Sequence, residues 1–178
     1  MIGRQKRILL IGMMGAGKTT VGRELAKRTG WPFLDNDVLV RELTGREPAA
    51  IDAEDGQDAL HAAEARAFRA ATERPGPAII AVAGAVADDD AELARLAAAG
   101  HVVWLRGRPG TLRGRIGTGA GRRADALDLA WITARVNERA ARYAAAADQI
   151  VDIENHRPAA IARAILEVLA VLEARSAR

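Results

Sequence analysis

The sequence predicts an α/β fold, in which helices cover both faces of a parallel β-sheet. Two observations predict it: short apolar runs alternate with longer stretches of helical periodicity, and a glycine-rich loop joins the first run to the first helix. The strand candidates are residues 8–11, 32–34, 78–82, 102–105 and 149–152. The helix candidates are residues 18–28, 38–44, 57–72, 89–98, 110–116, 126–144 and 158–173. Strands that alternate with helices in this way form parallel βαβ units.

The first strand candidate leads directly into residues 12–19, which fit the pattern G-x-x-x-x-G-K-[ST]. Glycines let the backbone wrap tightly, so that N–H groups and the helix N-terminus point at phosphate oxygens. Lys18 then reaches the β- and γ-phosphates, and the Thr19 hydroxyl ligates Mg²⁺. A turn that merely links a strand to a helix needs neither residue. We therefore expect a nucleoside triphosphate site formed by Gly12, Gly15, Ala16, Gly17, Lys18, Thr19 and Thr20.

Two carboxylates follow the second strand candidate. Asp35 and Asp37 alternate, so in an extended backbone both face the same side. One can organise Mg²⁺ through its water shell. The other can accept a hydrogen bond, and the proton, from an acceptor hydroxyl. The alternative is a helix cap, which Asp37 before Val38 can provide, but capping needs only one of the two carboxylates.

Residues 117–123 interrupt the alternation with the sequence Gly-Thr-Gly-Ala-Gly-Arg-Arg. A stretch of this composition cannot bury apolar area, and we expect it to be mobile. It is either a solvated surface loop or a lid, at about residues 117–125, that brings an arginine to the transferring phosphate. The phosphate loop elsewhere in the chain favours the lid.

Composition narrows the class of protein. A length of 178 residues favours a single domain over residues 1–178. The net charge of +3 is interspersed along the chain, which argues against nucleic-acid binding. The absence of cysteine excludes disulfides, thiol catalysis and cysteine metal sites. The first apolar run is too short for a signal peptide, and none reaches the roughly 20 residues of a membrane span. We expect a cytoplasmic monomer that binds neither nucleic acid nor membrane.

Several other features are interpreted as structural. Trp31, Trp104 and Trp131 are expected to pack rather than to stack on bases. The run of three aspartates at residues 88–90 is interpreted as solvated charge, in which Asp88 or Asp89 caps the following helix. The last helix candidate is interpreted as a packing element, because its apolar residues keep helical spacing. These residues are Ile161, Ile165, Val168, Leu169 and Leu172.

Six features, spread over nearly the whole chain, carry a resemblance to a known family. They are the phosphate loop at residues 12–20, the aspartate pair within residues 33–37, the segment at residues 43–56, the strand segment Val103-Trp104-Leu105, Arg115 with Arg122 after six intervening residues, and Arg139 with Tyr143. In these features the chain resembles the shikimate kinases, within the nucleoside-monophosphate-kinase-like group of phosphate-loop folds.

The resemblance implies a five-stranded parallel sheet of order 2-3-1-4-5, a mobile lid, and a place in aromatic amino acid biosynthesis. The implied reaction moves the γ-phosphate of ATP to a ring hydroxyl of shikimate. By position, Asp35 and Thr19 would support Mg²⁺, and Asp37 would hold the acceptor hydroxyl. Lys18 and Arg122 would stabilise the developing charge.

Further residues are assigned by the same resemblance, and the departures from the family lie among them. Arg115 would stack on adenine, and Arg139 would bind the substrate carboxylate. Leu60 and His61 stand where the family has phenylalanine and a second carboxylate-binding arginine, and a neutral imidazole offers at most one donor. The family's three consecutive glycines are replaced by residues 82–84, so two added side chains narrow the pocket or alter its turn. The substrate-binding candidates are Asp37, His61, Gly84 and Arg139.

These departures leave more than one function open. The first is a kinase acting on shikimate, the nearest named activity, and the second is the same chemistry on a related cyclitol or sugar-like polyol without a carboxylate. The third is a nucleotide-binding module without acceptor activity. His61 itself is alternatively an ordinary helical histidine, in solvent or paired with Glu64. The ATP-handling residues are retained, which favours a working phosphotransferase.

Overall fold

The structure, a computed structural model, describes residues 6–116 and 128–176. Its sheet contains β1 (Arg7–Ile11), β2 (Phe33–Asp35), β3 (Ala78–Ala81), β4 (His101–Arg106) and β5 (Gln149–Asp152). The order across the sheet is β2-β3-β1-β4-β5, and every neighbouring pair is parallel. The predicted fold class and strand order are confirmed.

Eight α-helices lie within the described ranges. They are α1 (Lys18–Thr29), α2 (Asn36–Thr44), α3 (Pro48–Asp55), α4 (Gln57–Glu73), α5 (Asp90–Ala99), α6 (Pro109–Ile116), α7 (Leu129–Ala146) and α8 (Pro158–Ser176). A 3-10 helix, Gly84–Asp88, follows β3. None of the helices in these ranges is long and apolar enough to cross a membrane.

Two segments are helical where the sequence pattern predicts no helix. In α3 only Ile51 is buried, so no apolar stripe of helical spacing marks the segment. Its first turn carries a different signal, Pro48, whose missing N–H and fixed φ suit that position. The 3-10 helix spans five residues, which is too short for a period to show.

The centre of the sheet is buried on both faces. Every residue of β1 and β3 is buried, as expected for inner strands of a parallel sheet covered by helices. Helix α1 packs against α8, and α7 contacts α5 and α6. The first half of α8 supplies Ile161, Ala162 and Ile165 to the core, whereas Val168 and Leu172 are exposed. Only part of the predicted apolar stripe of α8 is therefore used for packing.

The parallel arrangement brings the carboxyl ends of the strands to one edge of the sheet. Ala81 of β3 is in register with both Asp35 of β2 and Leu10 of β1, and Ile11 is in register with Trp104. The loop after β1, the carboxylates at the end of β2 and the 3-10 helix after β3 are therefore neighbours. This edge is where ligands bind in open α/β sheets.

Candidate active site

A cleft of about 1060 Å³ lies along this edge. It is lined by the phosphate loop, by the start of α2 and by side chains from α3, α4 and α7. The sequence-predicted residues found on its walls are Gly15, Ala16, Gly17, Lys18, Thr19, Thr20, Asp35, Asp37, His61, Gly84, Arg115 and Arg139. Arg122 and the predicted lid lie outside the described residues.

Gly12 does not line the cleft, but it shapes the loop that does. Its φ of 140° belongs to the region that favours glycine, and a Cβ there would lie 2.6 Å from the carbonyl oxygen of Leu105. The Gly12 carbonyl accepts a hydrogen bond of 2.8 Å from Lys18 Nζ. Gly17 caps the N-terminus of α1 at φ 89°, so the loop turns directly into the helix. The backbone N–H groups at that end form an anion-binding site next to the lysine.

Thr19 and Asp35 form the candidate metal site. The Thr19 hydroxyl donates a hydrogen bond of 2.7 Å to Asp35 Oδ2, so both oxygens stand side by side in the cleft. The described residues contain no group of three or more His, Cys, Asp or Glu side chains that could hold a metal. Mg²⁺ suits this arrangement, because it commonly takes one or two protein oxygens and completes its shell with water and phosphate.

Asp35, rather than Asp37, caps the next helix. Asp35 Oδ1 accepts from the backbone N–H of Asp37 at 3.1 Å, which satisfies an orphan donor at the start of α2. The suggestion that Asp37 forms this cap is therefore wrong. Asp37 lies in the first turn of α2, and this exposed residue lines the cleft, as Asp35 does.

Arg139 enters the cleft from α7 and is almost completely buried, with 8% of its surface exposed. Asp88 of the 3-10 helix grips it bidentately, with Nε–Oδ1 at 2.9 Å and Nη2–Oδ2 at 2.5 Å. The sequence context of Asp88 suggests a solvated charge, but the side chain forms an ion pair with Arg139. Asp89 caps α5 instead, through bonds from the backbone of Ala91 and Glu92.

The backbone at Gly84 lies close to the guanidinium of Arg139. A Cβ on Gly84 would lie 2.9 Å from Arg139 Nη1 and 3.2 Å from the Tyr143 hydroxyl, which donates to the Gly84 carbonyl. Ala83 has φ −63° and ψ 144°, an ordinary extended conformation that accepts a side chain. The replacement at position 83 therefore leaves the turn intact.

Comparison with known proteins points to one family. The family model for shikimate kinase matches residues 14–170. A shikimate kinase of Moorella thermoacetica is 38% identical over 167 residues, which cover 91% of this chain and 93% of the relative. A shikimate kinase of Parasynechococcus marenigrum is 33% identical over 174 residues, covering 92% of this chain and 86% of the relative. This chain belongs to the shikimate kinase family.

Solved structures agree in fold. Shikimate kinase from Acinetobacter baumannii in complex with shikimate superimposes with a TM-score of 0.86 at 24% identity, covering 94% of both chains. A gluconokinase from Sinorhizobium meliloti reaches a TM-score of 0.63 at 18% identity, covering 95% of this chain and 94% of its own. At these identities the likeness shows the fold alone. Family membership makes the chain an ATP-dependent kinase.

In this shikimate kinase family member, the α4 wall of the cleft carries His61 and Glu64. The side-chain nitrogen of Gln57 lies 3.3 Å from His61 Nε2, a contact in which the neutral ring accepts. Burial lowers the pKa of His61, and the charge of Arg139 lowers it further. His61 therefore pairs with Gln57, not with Glu64, and the ring is held in its uncharged form.

Glu64 is a site residue that the sequence reasoning did not select. Burial raises its pKa to about 7, and the nearby carboxylate of Asp37 contributes in the same direction. Arg139 and Lys18 oppose the shift. The spacing of the sequence could have identified Glu64, because Gln57, His61 and Glu64 recur at helical intervals on one face of α4.

Arg115 lines the cleft from α6. Its Nη2 donates a hydrogen bond of 2.9 Å to the Ile153 carbonyl, in the loop that follows β5. Arg157 and Pro158 from the same region also line the cleft. The guanidinium plane of Arg115 is thus held by the fold, as stacking on a base requires.

Proposed function

We propose that this shikimate kinase family member transfers the γ-phosphoryl group of ATP to a ring hydroxyl of shikimate. The observation that carries the proposal is the presence, in one cleft, of the phosphate loop, the exposed carboxylate of Asp37 and the buried guanidinium of Arg139. The first binds the donor, the second faces an acceptor hydroxyl and the third binds a carboxylate. Shikimate carries both a carboxylate and ring hydroxyls.

On the donor side, the loop amides and Lys18 hold the phosphates in line with the acceptor. Thr19 and Asp35 are the residues that would hold Mg²⁺, which neutralises the phosphate charge when it is bound. Lys18 now bonds loop carbonyls at 2.8 and 3.3 Å, so its ammonium exchanges those partners for phosphate oxygens. Arg115 supports the adenine ring, and Arg122 is proposed as the lid residue that reaches the transferring group.

On the acceptor side, Asp37 accepts a hydrogen bond from the attacking hydroxyl. A bond forms between that oxygen and the γ-phosphorus, the bond to the β,γ-bridging oxygen breaks, and ADP leaves. The hydroxyl proton passes to Asp37 and then to water. The products are the phosphorylated ring and ADP.

Turnover of the purified protein tests the proposal directly. ADP release is measured with ATP and Mg²⁺, with and without shikimate, and shikimate should give a saturable increment. ADP release that shikimate leaves unchanged would reject the acceptor. Saturable ADP release with any one acceptor would reject the hypothesis that the chain is a nucleotide-binding module without acceptor activity.

A neutral polyol is the second candidate acceptor, and one observation favours it. Asp88 already occupies one edge of Arg139, and His61 carries no charge, so the pocket holds less positive charge for a carboxylate than the family pattern provides. A panel of cyclitols and sugar-like polyols in the same assay separates the two. Better kcat/KM on a neutral ring than on shikimate would replace the first proposal with the second.

Asp37→Asn tests the assigned role of the carboxylate. Asparagine keeps the shape but cannot take a proton, so kcat should fall by roughly 10²–10⁴-fold, while KM for ATP stays within about 2-fold. Steady-state kinetics in both substrates measure this. An unchanged kcat would show that Asp37 takes no part in the chemical step.

Assembly, domain organisation and location are also proposed. We infer a monomer with one kinase domain over residues 1–178, acting on small molecules in the cytoplasm. Sedimentation of the purified protein checks the oligomeric state.

A further inference from the structure

One face of α7 presents three large side chains to the cleft. Trp131, Arg135 and Arg139 follow one another at intervals of four residues, so they lie in a row along the helix. All three line the cleft, and Arg135 lies between Trp131 and Arg139, less buried than Arg139 and one turn away from it. Arg135 is therefore a second guanidinium on the wall that holds the candidate carboxylate-binding residue.

Arg139 alone has limited capacity for a substrate carboxylate. Its Nε and Nη2 edge is occupied by Asp88, and its Nη1 lies 3.7 Å from the sulfur of Met13. The negative charge of Asp88 also cancels much of the positive charge of Arg139. An acceptor carboxylate that reached only this arginine would find one partly neutralised donor group.

The facing wall does not supply the missing charge. His61 accepts from Gln57 and is held neutral, because burial and the charge of Arg139 lower its pKa. The charge of Arg135 lowers the same pKa, while Asp88 and Asp58 raise it. Arg135 thus acts electrostatically on the acceptor end of the cleft, where His61 lies.

The Arg135 side chain is held in place by contacts that a ligand can displace. Its guanidinium carbon lies 5.7 Å from the centre of the Trp131 ring, a cation–π distance that holds the side chain against α7. Its acidic partner is Glu138, 2.9 Å away and 57% exposed, on the same helix. Such exposed pairs contribute little free energy, so the guanidinium can exchange Glu138 for a ligand carboxylate.

We propose that Arg135 is a carboxylate-binding residue of the acceptor pocket and supplies, beside Arg139, the positive charge that position 61 lacks. This inference rests on the proposed function, because it presumes an acceptor that carries a carboxylate. It assigns to α7 both of the cations that hold the acceptor.

The experiment compares Arg135→Gln with the control Arg163→Gln. Arg163 lies on α8, is highly exposed, and pairs with Glu167 one turn on, so it matches Arg135 in its pairing but lies outside the cleft. Equilibrium binding of shikimate and of its uncharged carboxamide is measured by calorimetry, beside steady-state kinetics. Thermal melting of each variant confirms that it is folded.

Arg135→Gln should weaken shikimate binding about 10-fold and leave carboxamide binding and KM for ATP within about 2-fold. Arg163→Gln should change none of these. The double variant His61→Arg with Arg135→Gln should recover most of the lost shikimate affinity, because the cation is restored on the other wall.

Three outcomes for the variant would overturn the inference. They are unchanged shikimate affinity in Arg135→Gln, equal losses for shikimate and its carboxamide, and a loss confined to ATP. A wild-type protein that does not bind shikimate also overturns it. The proposed function fails on a different result, namely absence of turnover, and binding still reports on Arg135 in that case.

Discussion

At the scale of single residues, charge organises the cleft. Lys18 and the N-terminus of α1 serve the phosphates, while Asp35 joins the Thr19 hydroxyl at 2.7 Å. Glu64 and Asp37 share the acceptor end, and burial, with a smaller contribution from the charge of Asp37, raises the pKa of Glu64. Glu64 therefore holds its proton to a higher pH than an ordinary glutamate does.

Glu64 predicts a pH dependence of stability. Its folded-state pKa of about 7 lies above its ordinary value of 4.5, so the folded protein binds this proton more tightly than the unfolded chain does. The contribution of Glu64 to the free energy of unfolding is therefore greatest below about pH 4.5 and is lost as pH rises through about 7. Glu64→Gln removes the titration.

Urea unfolding at about pH 5 and about pH 8 measures this effect. Relative to the wild type, Glu64→Gln should be more stable at the higher pH by roughly 1–3 kcal/mol, with a smaller difference at the lower pH. Glu138→Gln, an exposed carboxylate on α7, serves as the control and should show no such trend. A wild-type slope that survives in Glu64→Gln would contradict the assignment.

At the scale of elements, the 3-10 helix Gly84–Asp88 couples the sheet to the helices around the acceptor. It contacts α4, α5 and α7, and it delivers Asp88 to Arg139. Gly84 lets the Arg139 guanidinium approach the backbone closely. The element therefore fixes the orientation of the candidate carboxylate-binding arginine.

Asp88→Asn should destabilise the protein by about 1–3 kcal/mol, because it leaves the buried guanidinium of Arg139 without its ionic partner. Asp90→Asn is the matched control, since Asp90 is 91% exposed and pairs with Arg142 in the same aspartate run. Asp90→Asn should lower the free energy of unfolding by less than about 1 kcal/mol. Denaturant unfolding of both variants gives the comparison, and equal losses would argue against a special role for Asp88.

At the scale of the whole molecule, α8 closes the core over α1. Ile165 of α8 is fully buried, whereas Val171 is 52% exposed on the same helix. Ile165→Ala should therefore lower the free energy of unfolding by about 2–5 kcal/mol, and Val171→Ala by less than about 0.5 kcal/mol. Chemical denaturation measures both, and a small loss for Ile165→Ala would mean that α8 is not part of the cooperative core.

Most of the fold, and the phosphate loop and aspartate pair of the site, can be predicted from local patterns. The strand candidates agree with the observed strands to within one residue at each end, because each is a contiguous apolar run. Helix α3 is not predicted by such a pattern, because Ile51 is its only buried residue. Tertiary packing stabilises that helix although its sequence has no apolar periodicity.

The sequence by itself determined the α/β class, the phosphate loop and the aspartate pair, because each depends on neighbouring residues whose spacing sets their geometry. Tertiary structure alone decided the pairing of Arg139 with Asp88, 51 residues away, and the burial of Glu64. It also brought Arg135 of α7 and His61 of α4 to one cleft. Such contacts depend on how helices pack at the sheet edge, and the free energy of that packing is spread over many distant side chains rather than carried by a local motif.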